Sequence, residues 1–227
     1  MHETITIVSG LPRSGTSMMM RMLEAGGMQV AVDNIRKADE DNPMGYYELE
    51  SVKKIKEDAS WLDGVQGKVI KMVSMLLYNL PHEKNFNVVF MSRNMEEILA
   101  SQRTMLQRKG QTNALDDKEM AESYKKHLGE IIKWLNESKN MNVLYLEYNN
   151  LIENPRDNAE KISSFLNSKL DVDKMVDVVD KSLYRQRVSR SETQGVTAQS
   201  LSDFTEMTLK DQEKAKVEEQ LKSLGYM

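Results

Sequence analysis

The chain has 227 residues, of which 40% are hydrophobic and 29% are charged, a composition typical of a soluble globular domain. A chain of this length can bury a core that is stable without disulfides or bound metal ions. The net charge of −4 argues against a general nucleic-acid binder, because affinity for the phosphate backbone comes from accumulated Lys and Arg. Cysteine is absent, which excludes disulfides and thiolate metal sites.

Targeting segments are not expected. No apolar run approaches the roughly 18 residues that a membrane-spanning helix requires. Residues 1–4 lead directly into a short apolar run, without the basic segment and long apolar core of a signal peptide. We therefore expect a cytoplasmic protein with no membrane span.

The first predicted elements are a strand, a glycine loop and a helix. Residues 5–8 are mostly β-branched and predict a buried strand, and the apolar pattern from Ser17 predicts a helix that stops at Gly26-Gly27. A helix that follows a loop in this way directs its free N–H groups at the loop, as a phosphate site requires.

Further short apolar runs alternate with helical patterns along the chain. This alternation predicts a parallel sheet covered on both faces. The expected fold is α/β, a three-layer P-loop-type domain with a central parallel sheet flanked by helices. Residues 1–227 are expected to form a single domain. The predicted strands lie at 69–70, 88–90 and 143–146, and the predicted helices at about 46–57, 95–109, 116–138, 155–166 and 208–224.

One polar segment differs from the rest. Residues 185–202 are rich in Ser, Gln, Arg and Thr and have little apolar periodicity, so we interpret them as a long loop. Loops of that length are often functional or disordered. We expect residues 185–206 to form a mobile loop over the binding site.

The loop after the first strand has the outline of a nucleotide-binding phosphate loop but lacks its lysine. The motif G-x-x-x-x-G-K-[ST] needs glycines so that backbone N–H groups wrap the phosphates, a lysine for the terminal phosphates and a hydroxyl for Mg²⁺. In Gly10-Leu-Pro-Arg-Ser-Gly-Thr-Ser17, Thr16 replaces that lysine, and the nearest cation is Arg13. The loop predicts phosphate binding but argues against ATP or GTP hydrolysis.

Three segments together resemble the sulfotransferases that use 3′-phosphoadenosine 5′-phosphosulfate (PAPS). Residues 11–17 are similar to that family's 5′-phosphosulfate loop, P-[KR]-S-G-T-[ST]. Residues 88–101 match its 3′-phosphate motif, a strand ending in Arg93 with Ser101 eight residues later. Residues 145–156 are similar to Y-E-D-L-x-x-x-P-R, a segment common in bacterial members.

The resemblance implies PAPS as the donor, adenosine 3′,5′-bisphosphate (PAP) as the product and no metal. It places the phosphosulfate on the loop and the helix dipole, and Arg93 at the end of a strand, where open α/β sheets bind ligands. Asn94 is expected to cap the next helix, with Glu97 as the second half of a capping box. The implied donor-binding residues are Arg13, Ser14, Gly15, Thr16, Ser17, Arg93 and Ser101.

Two arginines of the polar loop are further candidates. The family usually has a basic Arg-Lys-Gly segment there that closes over the 3′-phosphate, and this tripeptide is absent. Arg187 and Arg190 are candidates to replace it, and an ordinary solvated loop is the alternative.

Arg13 and Lys71 are candidates for stabilising the transferring group. Arg13 occupies the position of the family's loop lysine, where a cation stabilises charge on the oxygen that bridges phosphorus and sulfur. Arginine does not give up its proton, so an electrostatic role is expected. Lys71, read as the end of a strand, corresponds to a family lysine that touches the transferring group.

The general base is less clear from the sequence. The histidine that serves as the base in animal members is replaced by Val73, and the three histidines of the chain (His2, His82 and His127) are all expected at the surface. Glu48 is the better candidate, since a carboxylate near the acceptor could take its proton. The alternative for Glu48 is structural, because Glu is favoured in the first turn of a helix.

Two other functions stay open at this point. A P-loop kinase of small molecules shares the strand, loop and helix, although the missing lysine counts against it. A sulfotransferase-like domain that binds the donor without chemistry is compatible with the missing histidine. For the sulfotransferase the expected partner is a small-molecule or glycan acceptor with a hydroxyl or amine, and no nucleic acid. The acceptor-lining segments are expected at 34–48, 72–82 and 185–202.

Overall fold

The apolar runs of the sequence form a parallel sheet. The computed structural model describes residues 4–111, 116–184 and 208–227. The four strands lie in the order β2-β1-β3-β4, and every neighbouring pair is parallel. Near-continuous apolar runs suit this arrangement because both faces of such a sheet are covered. The strands are β1 (Ile5–Gly10), β2 (Val69–Val73), β3 (Phe86–Ser92) and β4 (Met141–Glu147).

Helices cover both faces of the sheet and give the predicted three layers. One face packs against α3, α4 and α8, and the other packs against α1, α5, α6 and α7. The helices of the described residues are α1 (Thr16–Ala25), α2 (Glu50–Lys53), α3 (Met95–Arg108), α4 (Asp117–Glu137), α5 (Tyr148–Glu153), α6 (Pro155–Phe165), α7 (Val172–Asp177) and α8 (Asp211–Leu224), with 3₁₀ turns at Ser60–Val65, Ser74–Asn79 and Lys181–Leu183. Within these described ranges, no helix is both long and apolar enough to cross a bilayer.

The segment between α1 and β2 departs from the predicted helix. A helix was expected at about 46–57, but α2 spans only Glu50–Lys53. Tyr47 has a left-handed φ of 55°, which a continuous right-handed helix does not accept. The segment is instead anchored to the sheet by a parallel bridge between Val30 and Val69 and by the buried ring of Tyr46.

Two predictions about individual residues were wrong, one about the burial of His127 and one about the place of Lys71 in its strand. His127, expected at the surface, is fully buried, and its Nε2 lies 2.7 Å from Ser74 Oγ. Burial lowers the pKa of His127 to about 4, so its ring is neutral at pH 7. His127 follows two lysines in the sequence, and these led to the prediction of a surface position. It nevertheless lies on the apolar stripe of α4, which faces the core. Lys71 does not end its strand: β2 continues to Val73, and Lys71 is 5% exposed.

The predicted mobile loop at 185–206 lies outside the described residues, as do Arg187, Arg190 and His2. Their predicted roles stay predictions.

Candidate active site

The loop after β1 turns directly into α1 at Gly15. This glycine has a left-handed φ of 97°. A Cβ at this position would lie 2.3 Å from the ring of Tyr148, which follows β4. The backbone therefore requires glycine here for two reasons, conformation and space. The first turn of α1 keeps N–H groups that have no partner within the helix.

A cavity of about 150 Å³ lies at the carboxyl ends of the strands. Two cations that the sequence placed in the donor site, Arg13 and Arg93, both line it. So do Gly15, Thr16, Ser17 and Ser101, which come from the loop, α1 and α3. The fold thus brings most of the predicted donor-binding residues to one cavity.

Arg13 is held at both its backbone and its side chain. Its φ is 75°, a left-handed conformation that costs a non-glycine residue about 1–2 kcal/mol. The guanidinium donates through Nε to Ser101 Oγ at 2.9 Å and through an Nη to the Asp41 carbonyl at 2.7 Å. The Arg13 carbonyl accepts from an Arg93 Nη at 3.0 Å. A direct hydrogen bond therefore joins the Arg93 side chain to the Arg13 backbone.

Arg93 occupies a polar and aromatic setting just after β3. Its Nε donates to Glu97 Oε2 at 2.9 Å. Its guanidinium carbon lies 4.6 Å from the centre of the Tyr148 ring and 5.4 Å from that of Tyr184, both within cation–π range. Arg93 and Glu97 are 9% and 1% exposed, so their charges are paired inside the protein.

The start of α3 agrees with one prediction and refines two others. Asn94 caps the helix, as predicted, and accepts from the N–H groups of Glu96 and Glu97 at 2.9 and 3.3 Å. The Glu97 carboxylate, expected in a capping box, pairs with Arg93. Ser101, expected beside Arg93, bonds to Arg13.

Lys71 and Glu48 form a buried charged cluster beneath the loop. Lys71 Nζ donates to the Tyr46 carbonyl, lies 3.4 Å from Ser17 Oγ and is 3.6 Å from Glu48 Oε1. Glu48 also pairs with Arg36 at 2.9 Å and lies 3.6 Å from Lys53 Nζ. Neither Lys71 nor Glu48 is among the described residues that line the cavity. Lys71 reaches the site through Ser17.

The family model of the sulfotransferase domain matches residues 3–219. The chain belongs to the sulfotransferase family.

Solved sulfotransferases resemble this one only distantly. The sulfotransferase domain of the Synechococcus PCC 7002 olefin synthase is 14% identical, with a TM-score of 0.49 over 99% of this chain and 95% of that one. Mouse SULT7A1, complexed with PAP, is 12% identical, with a TM-score of 0.49 over 99% and 85%. The Alicyclobacillus acidocaldarius sulfotransferase is 12% identical, with a TM-score of 0.46 over 98% and 97%. A search of curated proteins finds no significant match.

Several residues of this sulfotransferase line the cavity although its sequence motifs do not mark them. Arg21 lines the cavity from α1, is 8% exposed, and its Nε is buried with no hydrogen-bond partner among the described residues. The sequence could have indicated Arg21 by its position four residues after Ser17, which places both side chains on the same face of α1. Arg108 also lines the cavity and pairs with Asp41. Tyr226 enters from the segment after α8, where no sequence pattern points to a site.

The buried charge of Lys71 leads to a pH-dependent stability. Burial, opposed by Glu48 and assisted by Arg36, lowers the pKa of Lys71 from 10.5 to about 8. Between these values the unfolded chain binds more protons than the folded one, so the free energy of unfolding should rise with pH, by about 1 kcal/mol per pH unit. Below pH 8 Lys71 is protonated in both the folded and the unfolded chain, so the stability gained at higher pH is absent.

Urea unfolding at pH values between 7.5 and 9.5 checks this expectation, with Lys71→Met as the comparison. The difference in unfolding free energy between the two proteins should change across this window and be flat below it. Burial raises the pKa of Tyr46 and Tyr124 above 10, so their ionisation affects the unfolding free energy only at higher pH. A difference that is independent of pH from 7.5 to 9.5 would contradict the assignment.

Proposed function

We propose that this sulfotransferase takes its sulfuryl group from PAPS and transfers it to a hydroxyl or amine. The observation that carries the proposal is that Arg13 and Arg93 line one cavity and are joined through the Arg13 carbonyl. PAPS has two anionic ends, a 5′-phosphosulfate and a 3′-phosphate. Two cations from the ends of neighbouring strands suit such a ligand better than the single phosphate chain of a nucleoside triphosphate.

The groups present at the cavity fit a ligand of this kind. The first turn of α1 offers N–H groups and a favourable dipole for the 5′ end. Ser14, which precedes the cavity-lining Gly15, has a buried Oγ with no hydrogen-bond partner among the described residues. Arg93 is proposed to hold the 3′-phosphate, and Ser101, whose Oγ accepts from Arg13, is proposed to contact the same ligand from the cavity wall. Charge-assisted hydrogen bonds from arginine are the strong kind that phosphate recognition uses.

The proposed chemistry is an in-line transfer. Bound PAPS supplies the sulfuryl group and a phosphate oxygen as its leaving group: the acceptor atom bonds to sulfur, the bond from sulfur to that oxygen breaks, and the acceptor proton leaves to a base. Arg13 is proposed to stabilise the negative charge that develops on the leaving oxygen. It acts as a fixed charge, because a guanidinium keeps its proton.

Lys71 and Glu48 are proposed to act from beneath the loop. Lys71 contacts Ser17 and so supports the 5′ end of the site. Because Glu48 contacts Lys71 and Arg36, its neighbours support a role in positioning these cations. The assignment of Glu48 as the general base stays a prediction. As the base, Glu48 would use Oε2, which makes no hydrogen bond with the described residues and lies 3.6 Å from Lys53 Nζ.

Calorimetric titration in EDTA tests the choice of donor. We expect PAP, the desulfated product, to bind without metal and more tightly than adenosine 5′-monophosphate (AMP), because only PAP reaches both cations. ATP with Mg²⁺ in place of EDTA should bind more weakly than PAP. Tight ATP binding that needs Mg²⁺, with no binding of PAP, would favour the kinase and overturn the proposal.

A transfer assay separates the enzyme from a domain that only binds the donor. PAPS is incubated with panels of phenols, alcohols, amines and glycans, and the release of PAP is followed by chromatography. We expect acceptor-dependent PAP release that the Arg13→Ala variant does not support. Equal release by both proteins would contradict the catalytic role of Arg13.

A further inference from the structure

We propose that Tyr184 is a positioning residue for Arg93: through the Glu97 carboxylate, its hydroxyl sets the direction of the guanidinium in the donor site. The proposal rests on the proposed use of PAPS, whose 3′-phosphate is assigned to Arg93. Tyr184 lies outside the three sulfotransferase motifs and, among the described residues, is not part of the cavity lining. Its effect on a ligand must therefore pass through its neighbours.

The chain after α7 places the half-buried Tyr184 next to the end of β4. Asp180 caps the 3₁₀ turn that precedes Tyr184 and accepts from the Ser182 N–H group at 2.8 Å. The ring of Tyr184 then meets the ring of Tyr148 edge-on, with their centres 5.6 Å apart. Because Tyr148 follows β4 directly, the tyrosine is held at the edge of the sheet where Arg93 lies.

The Glu97 carboxylate is shared between Arg93 and Tyr184. Its Oε2 accepts from Arg93 Nε at 2.9 Å, and its Oε1 accepts from the Tyr184 hydroxyl. Burial raises the pKa of Tyr184, and the hydrogen bond to Glu97 raises it further, so the hydroxyl keeps its proton at pH 7 and donates. The carboxylate is therefore held from both of its oxygens.

The third sequence motif supplies a further donor to this network. Aligned with Y-E-D-L-x-x-x-P-R through Leu151 and Pro155, the chain has Asn149 where the motif has Glu. Asn149 Nδ2 donates to the Tyr184 hydroxyl oxygen at 2.8 Å and lies 3.4 Å from Glu97 Oε1. A carboxylate at this position would compete with Glu97 for the hydroxyl proton of Tyr184, whereas the amide leaves that proton to Glu97.

These contacts fix the Arg93 side chain. Its Nε donates to Glu97, and an Nη donates to the Arg13 carbonyl at 3.0 Å. Its guanidinium carbon lies 5.4 Å from the centre of the Tyr184 ring. Because the N–H groups of a guanidinium form a rigid fork, fixing Nε and one Nη also sets the direction of the N–H groups that face the cavity.

Loss of the Tyr184 hydroxyl should change the pairing of Arg93 with Glu97. With one donor removed from Oε1, that oxygen can accept from an Arg93 Nη, and arginine readily forms two parallel bonds with a carboxylate. The guanidinium then turns towards Glu97 and away from the Arg13 carbonyl and the cavity. Binding of a 3′-phosphate should therefore weaken more than binding of a 5′-phosphate.

Calorimetry on Tyr184→Phe tests this, with Tyr47→Phe as the matched control. Phenylalanine keeps the ring beside Arg93 and removes only the hydroxyl. Tyr47 also donates to a carboxylate, Glu24 Oε2 at 2.6 Å, and does not line the cavity among the described residues. We expect the preference for PAP over AMP to fall by about 3- to 10-fold in Tyr184→Phe and to keep its wild-type value in Tyr47→Phe. An unchanged preference in Tyr184→Phe, or an equal fall in both variants, would overturn the proposal.

Two further measurements separate positioning from the choice of donor. In a background in which Arg93→Gln and Glu97→Gln remove both charges, Tyr184→Phe should have no further effect on PAP affinity, because the three residues act as a unit; an additional loss would contradict this. In a crystal structure of ligand-free Tyr184→Phe, the Arg93 guanidinium should be turned towards both Glu97 oxygens. An unmoved guanidinium would refute positioning even if the wild type binds no PAP, a result that would itself refute only the choice of donor.

Discussion

Replacing Arg93 by alanine is expected to abolish the preference for PAP over AMP. In the wild type this preference measures the contribution of the 3′-phosphate. A hydrogen-bonded charge contributes about 1.5–3 kcal/mol, so the ratio of the two dissociation constants should fall by about 10- to 100-fold. Calorimetry with both ligands measures the ratio directly.

The same substitution also removes the cation next to Glu97, which is 1% exposed. Breaking a buried ion pair from one side costs about 3–5 kcal/mol, so Arg93→Ala should be less stable, and lost binding could reflect lost structure. The double variant Arg93→Gln/Glu97→Gln removes both charges and should recover much of the stability. It should still lack the preference for PAP. A double variant that keeps the wild-type preference would show that Arg93 does not bind the 3′-phosphate.

Gly15→Ala is expected to damage both stability and donor binding. The new methyl group would meet the Tyr148 ring at 2.3 Å, at a φ of 97°. The backbone conformation alone costs about 1–2 kcal/mol, and the overlap forces the loop or the ring to move. We expect a larger loss of unfolding free energy than strain alone explains, and loss of PAP binding, measured by urea unfolding and calorimetry.

Gly27→Ala is the matched control for this prediction. Gly27 has a similar φ of 102°, and a Cβ there would meet nothing within 4 Å. The free energy of unfolding of Gly27→Ala should fall only by the cost of the backbone conformation, and this variant should bind PAP as the wild type does. If the two alanine variants behave alike, the contact between the loop and Tyr148 has no special importance.

Local sequence patterns predicted that Arg13 and Arg93 meet at one cavity. The strand, loop and helix from β1 to α1 and the strand and helix from β3 to α3 are each continuous in sequence. Their motifs therefore place Arg13 and Arg93 at the carboxyl edge of the sheet without knowledge of distant contacts. The rules for parallel sheets then bring the two ends together.

The rest of the site depends on contacts that no local pattern encodes. Glu48 lies in the irregular segment before β2, where a helical pattern was read and Tyr47 turns the chain instead. Its ion pairs with Arg36 and Lys71 follow from that turn. Tyr226 reaches the cavity only because α8 packs beside α3 and α4, which is a tertiary effect.

A crystal structure of the complex with PAP tests the central claim most directly, that one cavity holds the two anionic ends of PAPS. The account predicts the 5′-phosphate at the N-terminus of α1 beside Arg13, and the 3′-phosphate against Arg93. A complex with the two phosphates exchanged, or with the 3′-phosphate away from Arg93, would contradict it.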